Sequence, residues 1–436
     1  MRGALAAAVS AALMLGAAAC GGGGGNGPGS KSLDLVIGNA LPLGAAQTDS
    51  ALGESGQKAT ELAVAQIHSA IDEAGVDHSV RAVNEDQGPD QESAQAAANT
   101  LVQADGASCL TGPWSAANFE QTAKAVAIPS KTLAISPTPT SEDTSGLSDH
   151  DLINSTALPV SLEGDAIAKA ISDDLGGIEG NTVNVASSND SYGELLSQGF
   201  IESWQDDDGT VGEQLAIAPA PLGSSPSGVY SSQVAQLTGN NPDGVLLAVD
   251  PETLASLGDS LGSTAGWNPE IAWGGHELVT PSLPHRVGAR LVDGMRALAP
   301  GIPEGDEAPS AFVDAFNSAA PHGTEMAPFA AQEFDATILC YLAAVAAGST
   351  DGQAMADHLV DITAPGGEQF TWQQLPEAIK ALEDGDDIDY SGASGPVDLD
   401  IRGEPTSGVY DIYEFTSRGL ETVGEVSVSK PNPATP

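Results

Sequence analysis

The sequence predicts an α/β protein of two lobes, each built on a parallel sheet. Three observations carry this. Strand-like apolar runs alternate with helical ones along most of the chain. The alternation stops at a polar loop and restarts near Thr156 to Pro159. The length of 436 residues suggests two or three domains' worth of core, and 41% hydrophobic residues are enough to form one. Repeated strand–helix alternation means parallel sheets covered by helices on both faces.

The elements can be justified in order. "LDLVIGNALPL" (33–43) reads as a buried strand running into a loop. In "GQKATELAVAQIHSAI" the apolar Ala59, Leu62, Ala63, Ile67, Ala70 and Ile71 share one helical face. "SVRAVNED" is a strand. "PDQESAQAAANTLVQADG" is a helix, capped by Asp90 and stopped by Gly106. "ASCLTG", "NFEQTAKAVAI" and "KTLAIS" read as strand, helix and strand, and the polar "PTPTSEDTSGLSDHD" as a loop. The second run opens with the helix "LEGDAIAKAISDDLGG" and the strand "NTVNVASS". Helices over "YGELLSQGFIESWQDDDG", "SSQVAQLTG" and "ETLASLGDSLGSTAG" then alternate with strands over "EQLAIAP", "PDGVLLAVD" and "EIAWGG". The strand "DGMRALAP" leads into helices around "AFVDAFNSAA", "EFDATILCYLAAVAAG" and "QAMADHLVDI". The tail segments "GPVDLDIRG" and "GVYDIYEFT" are strand-like. Open parallel sheets bind ligands at the carboxyl ends of their strands, so two facing lobes place a cleft between them.

The N-terminus is of another kind. A positive start, Met1-Arg2, precedes an apolar run over 4–19, then Cys20 and the glycine tract from Gly21. That is the layout of an export signal (1–19), too short to span a membrane as a helix, followed by a flexible tether (20–32). Ala17-Ala18-Ala19-Cys20 resembles a bacterial lipoprotein box, although Ala17 stands where Leu is usual. Cys20 is therefore expected to carry lipid and hold the protein on the outer face of the cell membrane; the plainer reading is a secreted protein with a free thiol. Residues 431–436 are read as a tail.

Charge narrows the partners. With 14 Lys plus Arg against 60 Asp plus Glu, the formal net charge is −46. Such a chain repels nucleic acid and anionic lipid, and its acidic surface suits high salt. In an exported chain Cys109 and Cys340 either pair as a disulfide or lie separately as small buried apolar residues.

A succession of short signatures then becomes specific: "IGNALPL", "TGPWSAANFEQTAKAVAIPSKTLAISPTPT", "NDSYGELLSQGF", "NPDGVLLA", "EFDATILCYLAAVAAGS", "YSGASGPVDLDIRGE" and "GVYDIYEF". Their order resembles the type I periplasmic binding proteins that bind branched-chain amino acids and amides for ABC importers. The resemblance implies two Rossmann-like lobes joined by a hinge of three crossovers, near Thr156, Pro300 and Tyr390. Lobe 1 would be 33–156 plus 301–390, and lobe 2 would be 157–300 plus 391–430.

The resemblance also implies ligand groups. After the "GP" turn, relatives place a Ser that holds a ligand carboxylate. That position here is Ala116, with Ser115 before it and Trp114 on the cleft edge. Thr138 falls where relatives offer a backbone carbonyl and Thr140 where they offer a ligand-binding Thr. Tyr192 matches a ligand-contacting Tyr. Asp250 and Glu277 end the next two strands and can accept an ammonium group. Each has a plainer role: Trp114 as packing, Tyr192 and Asp250 as helix caps, the threonines as turn formers. Hydroxyls and N–H donors on one lobe facing acids on the other suit an amino acid, with an amide or another small polar solute left open by Ala116.

Other chemistry has no local motif. No "HExxH", "GxSxG" or "GxxxxGK[ST]" occurs. "DIDYSGASGPVD" has calcium-loop spacing but runs into a strand pattern rather than a helix. The expectation is a monomeric, cofactor-free and metal-free binder of a small solute. It would be anchored by lipid and partnered by ABC permease subunits, and would perform no covalent chemistry. The alternatives are a sensory lipoprotein of the same fold, or an enzyme on this scaffold.

Overall fold

The computed structural model describes residues 31–44, 50–141, 144, 146–218, 229–319 and 326–430. The segment read as an export signal, Cys20 and residues 431–436 lie outside them.

The first sheet contains β1 (Leu33–Leu41), β2 (His78–Asp86), β3 (Cys109–Thr111), β4 (Leu133–Ser136) and β5 (Ile153–Ser155), in the order β2-β1-β3-β4-β5. Every neighbouring pair is parallel. The inner strands β3 and β4 are short and wholly buried because helices cover both faces, while the edge strand β2 is longer and largely polar. The Ala330–Ala347 helix is the centre of this lobe. All but its last two residues are buried, which is how an 18-residue apolar helix long enough to cross a membrane serves here as core. A disulfide joins Cys340 on this helix to Cys109 on β3, with Cα atoms 5.9 Å apart, inside the range such a bond requires.

The second sheet contains β6 (Thr182–Ser188), β7 (Thr210–Ile217), β8 (Gly244–Ala248), β9 (Ala272–Gly274) and β10 (Arg296–Pro300). Period-two alternation splits its core in two. Val245 and Leu247 of β8 pack into one cluster, Leu246 and Ala248 into another on the opposite face.

The fold is the one expected, with four local differences. A three-stranded sheet of β11 (Glu368–Thr371), β12 (Ile388–Gly392) and β13 (Gly395–Pro396) flanks the first lobe. The second sheet ends in a long antiparallel hairpin, β14 (Ser407–Thr416) and β15 (Gly419–Ser429), so it is not wholly parallel. "GPVDLDIRG" is not a strand beyond Pro396. The Asp400 carboxylate accepts the amides of Arg402 and Glu404, which bends the chain into a turn. Finally, Val397 and Leu399 still belong to the first core, so the third crossing falls between Leu399 and Ser407, beyond Tyr390.

The crossings are tied together. The Ser155 amide donates to the Gly403 carbonyl at 2.8 Å, and the Gly301 amide to Val409 at 2.8 Å. Lys430 pairs with Asp400 and Glu404 at 3.1 and 3.5 Å. Gly403 has φ +71°, and a Cβ there would strike the Asn154 side chain, so this crossing needs glycine.

Candidate functional site

Each sheet reverses its strand order once, between β1 and β3 in the first and between β6 and β8 in the second. Ligand crevices form at such switch points, outside the strands' carboxyl ends. A cavity of about 270 Å³ lies there, between the two lobes. Pro42 follows β1, Trp114, Ser115 and Ala116 follow β3, and Thr138 and Pro139 follow β4. From the other lobe come Tyr192 after β6, Pro251 after β8, and His276 and Glu277 after β9.

The first-lobe wall is held by its own hydrogen bonds. Gln87 clamps the loop after β3: its side-chain amide donates to the Trp114 carbonyl at 2.8 Å and its oxygen accepts the Trp114 amide at 2.6 Å. The Trp114 indole N–H donates to Glu333 at 3.2 Å. Glu333 is fully buried and also accepts the hydroxyls of Thr60 and Thr111, at 3.0 and 2.6 Å. Burial lifts its carboxyl to about 7, against the pull of those donors. Ser115 has φ +134°, a region that costs a side-chain-bearing residue strain. Its hydroxyl accepts the Asn118 amide and caps the helix that starts at Ala116.

The second-lobe wall is acidic. The buried Glu163 accepts the His276 amide at 2.5 Å and faces the His276 ring nitrogen at 2.7 Å. Burial opposes charge on His276, but Glu163 overcomes it and holds the imidazole above its ordinary value. Glu277 receives no hydrogen bond from the described residues. Burial pushes its carboxyl up to about 7; His276 pulls the other way, and Asp250, Asp190 and Glu163 add to the rise. The Tyr192 hydroxyl is buried and finds no hydrogen-bond partner of full geometry. A Cβ on Gly275 would collide with both that hydroxyl and the Glu163 carboxylate, so glycine is what lets the strand end approach them. Arg286, paired with Glu252, sits at the rim.

Aromatic rings join the walls. Phe329 of the first lobe meets Trp114 edge-on at 6.0 Å between centroids, and crosses the cleft to meet His276 at 5.7 Å. His276 in turn meets Tyr192 at 5.1 Å. The two lobes are thus in contact across the site.

Of the residues singled out from sequence, Trp114, Ser115, Ala116, Thr138, Tyr192 and Glu277 line the cavity. Two do not. Thr140 is buried near the hinge and donates to Glu404 at 3.1 Å. Asp250 caps the Pro251–Gly262 helix, accepting the Thr253 amide and hydroxyl at 2.8 and 2.6 Å, the plainer role foreseen for it. The Thr138 carbonyl accepts the Ser136 hydroxyl at 2.8 Å. Sequence reading missed Glu163, His276, Phe329 and Gln87. Among the described residues no three metal-ligating side chains converge, at the calcium-like spacing or elsewhere.

Two α/β lobes, three crossings and a cavity at both switch points define a two-lobed solute-binding protein. The periplasmic binding protein family matches residues 35–410, and the chain belongs to that family. Similar solved structures include the leucine-binding protein LivK of Thermotoga maritima, at 18% identity and TM-score 0.66 over 90% of this chain and 98% of that one. LivJ of Streptococcus pneumoniae, in complex with isoleucine, aligns at 16% identity and TM-score 0.66 over 91% and 99%. A solute-binding protein of R. palustris in complex with benzoate aligns at 19% and TM-score 0.59 over 93% and 99%. BasB of Halobacterium salinarum, the substrate-binding protein of a chemotactic signal transduction system, is 28% identical over 190 residues. That match spans 40% of this chain and 42% of BasB, less than half the length of either.

Proposed function

We propose that this protein captures a small polar solute, an amino acid before others, between its two lobes and delivers it to an ABC importer. The observation that carries this is the polarity of one cavity. Backbone and hydroxyl donors stand after β3 on one wall, and Glu277 and the Tyr192 hydroxyl stand on the other. A zwitterion bridges such walls with its two charges, and its side chain packs on Trp114 and Phe329. Ligand contact is assigned to Trp114, Ser115, Ala116, Thr138, Tyr192 and Glu277; Thr140 and Asp250 act behind them. Ligand would favour closure through the contacts it makes with both walls at once. Lipid on Cys20 would hold the jaw beside its permease.

A second reading is sensing, in which the closed form signals to a partner. The BasB match favours it.

Thermal unfolding of the protein from Ser30 onward, in high salt, tests the ligand class against amino acids, short amides, urea, polyamines, sugars and benzoate. A ligand at 100 times its Kd adds about 2.7 kcal/mol, a shift of several degrees. A shift with amino acids supports the proposal; a shift confined to sugars or benzoate refutes the zwitterion. Copurification with permease subunits, as against a signalling receptor, separates delivery from sensing.

A further inference from the structure

The second-lobe wall is rich in acid. Asp190 accepts the Gly193 amide and the Ser188 hydroxyl, at 2.8 and 2.9 Å. Asp250 caps its helix through Thr253. Glu163 is matched by His276. These three carboxylates are held as acceptors by groups of their own lobe. Glu277 stands among them, half-buried on the cavity wall, with no donor among the described residues. Of the other charges around the cavity, His276 draws Glu277 toward ionisation but is itself engaged by Glu163; Arg286 is engaged by Glu252, and the first lobe presents Trp114 and Phe329 there, with Glu333 buried behind the indole. The Tyr192 hydroxyl beside Glu277 is likewise buried, and the Glu277 backbone amide approaches it without full hydrogen-bond geometry.

We propose that Glu277 holds a proton in the empty cleft and gives it up to solvent when a ligand's ammonium group arrives, so that capture of an ammonium-bearing solute is coupled to release of one proton. This rests on the solute-capture reading and adds its regulation. The exchange balances. The carboxylic O–H breaks, the proton leaves to water, and the carboxylate accepts N–H bonds from an ammonium that arrives already charged. A half-buried carboxyl crowded by other acids, with no donor and only the already engaged His276 as a neighbouring cation, disfavours ionisation, and an incoming cation reverses the preference. The same wall selects by charge. A carboxylate-only ligand brings no cation to Glu277 and sets its own charge beside a cluster of acids.

The sign of the pH dependence follows. Below neutral pH the ammonium must displace the proton, so affinity rises with pH by about tenfold per unit and flattens above about 7. Loss of the His276 charge at higher pH acts the same way, since it removes a cation from the wall.

The test uses three shape-matched probes, L-leucine, 3-methylbutylamine and 4-methylpentanoate, with benzoate as a fourth. Thermal shifts at pH 5.5 and 7.5 are compared in wild type and Glu277→Gln. The expected result is stabilisation by probes carrying an ammonium group, stronger at pH 7.5, with the pH dependence lost in Glu277→Gln. For a probe that binds, calorimetry in two buffers of different ionisation enthalpy should count close to one proton released at pH 6. Binding of leucine without proton release, or of the two carboxylates without leucine, overturns the inference. Silence from every probe counts against the capture reading instead. In that case carboxyl ¹³C NMR of the ligand-free protein, wild type minus Glu277→Gln, decides the proton: a midpoint near 7 upholds it, and one near 4.5 overturns it.

Discussion

Asp335 and Glu277 are both acids whose surroundings disfavour ionisation, and they lie in opposite lobes, Asp335 fully buried and Glu277 half-buried on the cavity wall. Asp335 is surrounded by donors: the Tyr390 hydroxyl and the Ala393 amide at 2.8 Å, and the Ser394 amide and hydroxyl at 2.8 and 2.6 Å. Glu277 has none. Burial raises both, Asp335 to about 6 and Glu277 to about 7. The difference teaches how to separate a structural acid from one held ready for a ligand. The first is completed by its own chain, tying the Ala330–Ala347 helix to the β12–β13 turn. The second is left for something that arrives.

The sharpest way to break this comparison is to remove each acid. Asp335→Ala orphans four donors, and should cost roughly 3–5 kcal/mol of unfolding free energy. Glu277→Gln should leave folding intact or improve it slightly, because it removes an unfavourable acid. Urea titrations of the two variants check this, and equal losses would erase the distinction.

Next comes the disulfide, which belongs to the first lobe alone. Replacing both partners, Cys109→Ser with Cys340→Ala, should cost roughly 2–4 kcal/mol. The second lobe should keep its own unfolding transition, seen by hydrogen exchange of β6 and β8.

A third effect is pH. Asp335, Glu333 and Glu277 all have carboxyls raised above their unfolded values of 3.8 or 4.5. Their folded forms bind more protons than the unfolded chain does, so this contribution is fully present below about pH 4 and is lost as pH rises through about 7. Denaturation midpoints of the ligand-free protein should fall over that window, and Glu333→Gln should flatten part of the fall. The smallest effect is local. In Glu163→Gln the His276 ring keeps its burial but loses its counter-ion, so its pKa should drop below the wild-type value, as NMR of the ring protons would show.

The strand–helix alternation made most of the fold legible, because a sheet covered on both faces requires apolar strands between amphipathic helices. Six of the eight proposed ligand residues line the cavity for a related reason: they sit directly after strands, and strand ends are readable. The failures share a cause. Thr140 also follows a strand, but its hydroxyl is turned to Glu404, 264 residues away in sequence. Glu163 meets His276 across 113 residues, and Phe329 meets His276 only because the lobes face each other. Nothing local marks such pairs. "VDLDI" alternates like a strand, yet the Asp400 side chain takes up backbone amides that a ladder would have used.

The bond between Cys109 and Cys340 joins positions 231 residues apart, and the intervening chain includes the whole run from β4 to β10. The covalent structure is therefore a large ring with two free ends, not a line. A protease that cuts once within that ring opens it without dividing the molecule. Nicked protein would migrate as a single species until a reductant was added, and only then as two. The first lobe would stay assembled through such an injury, with both halves of its core still joined.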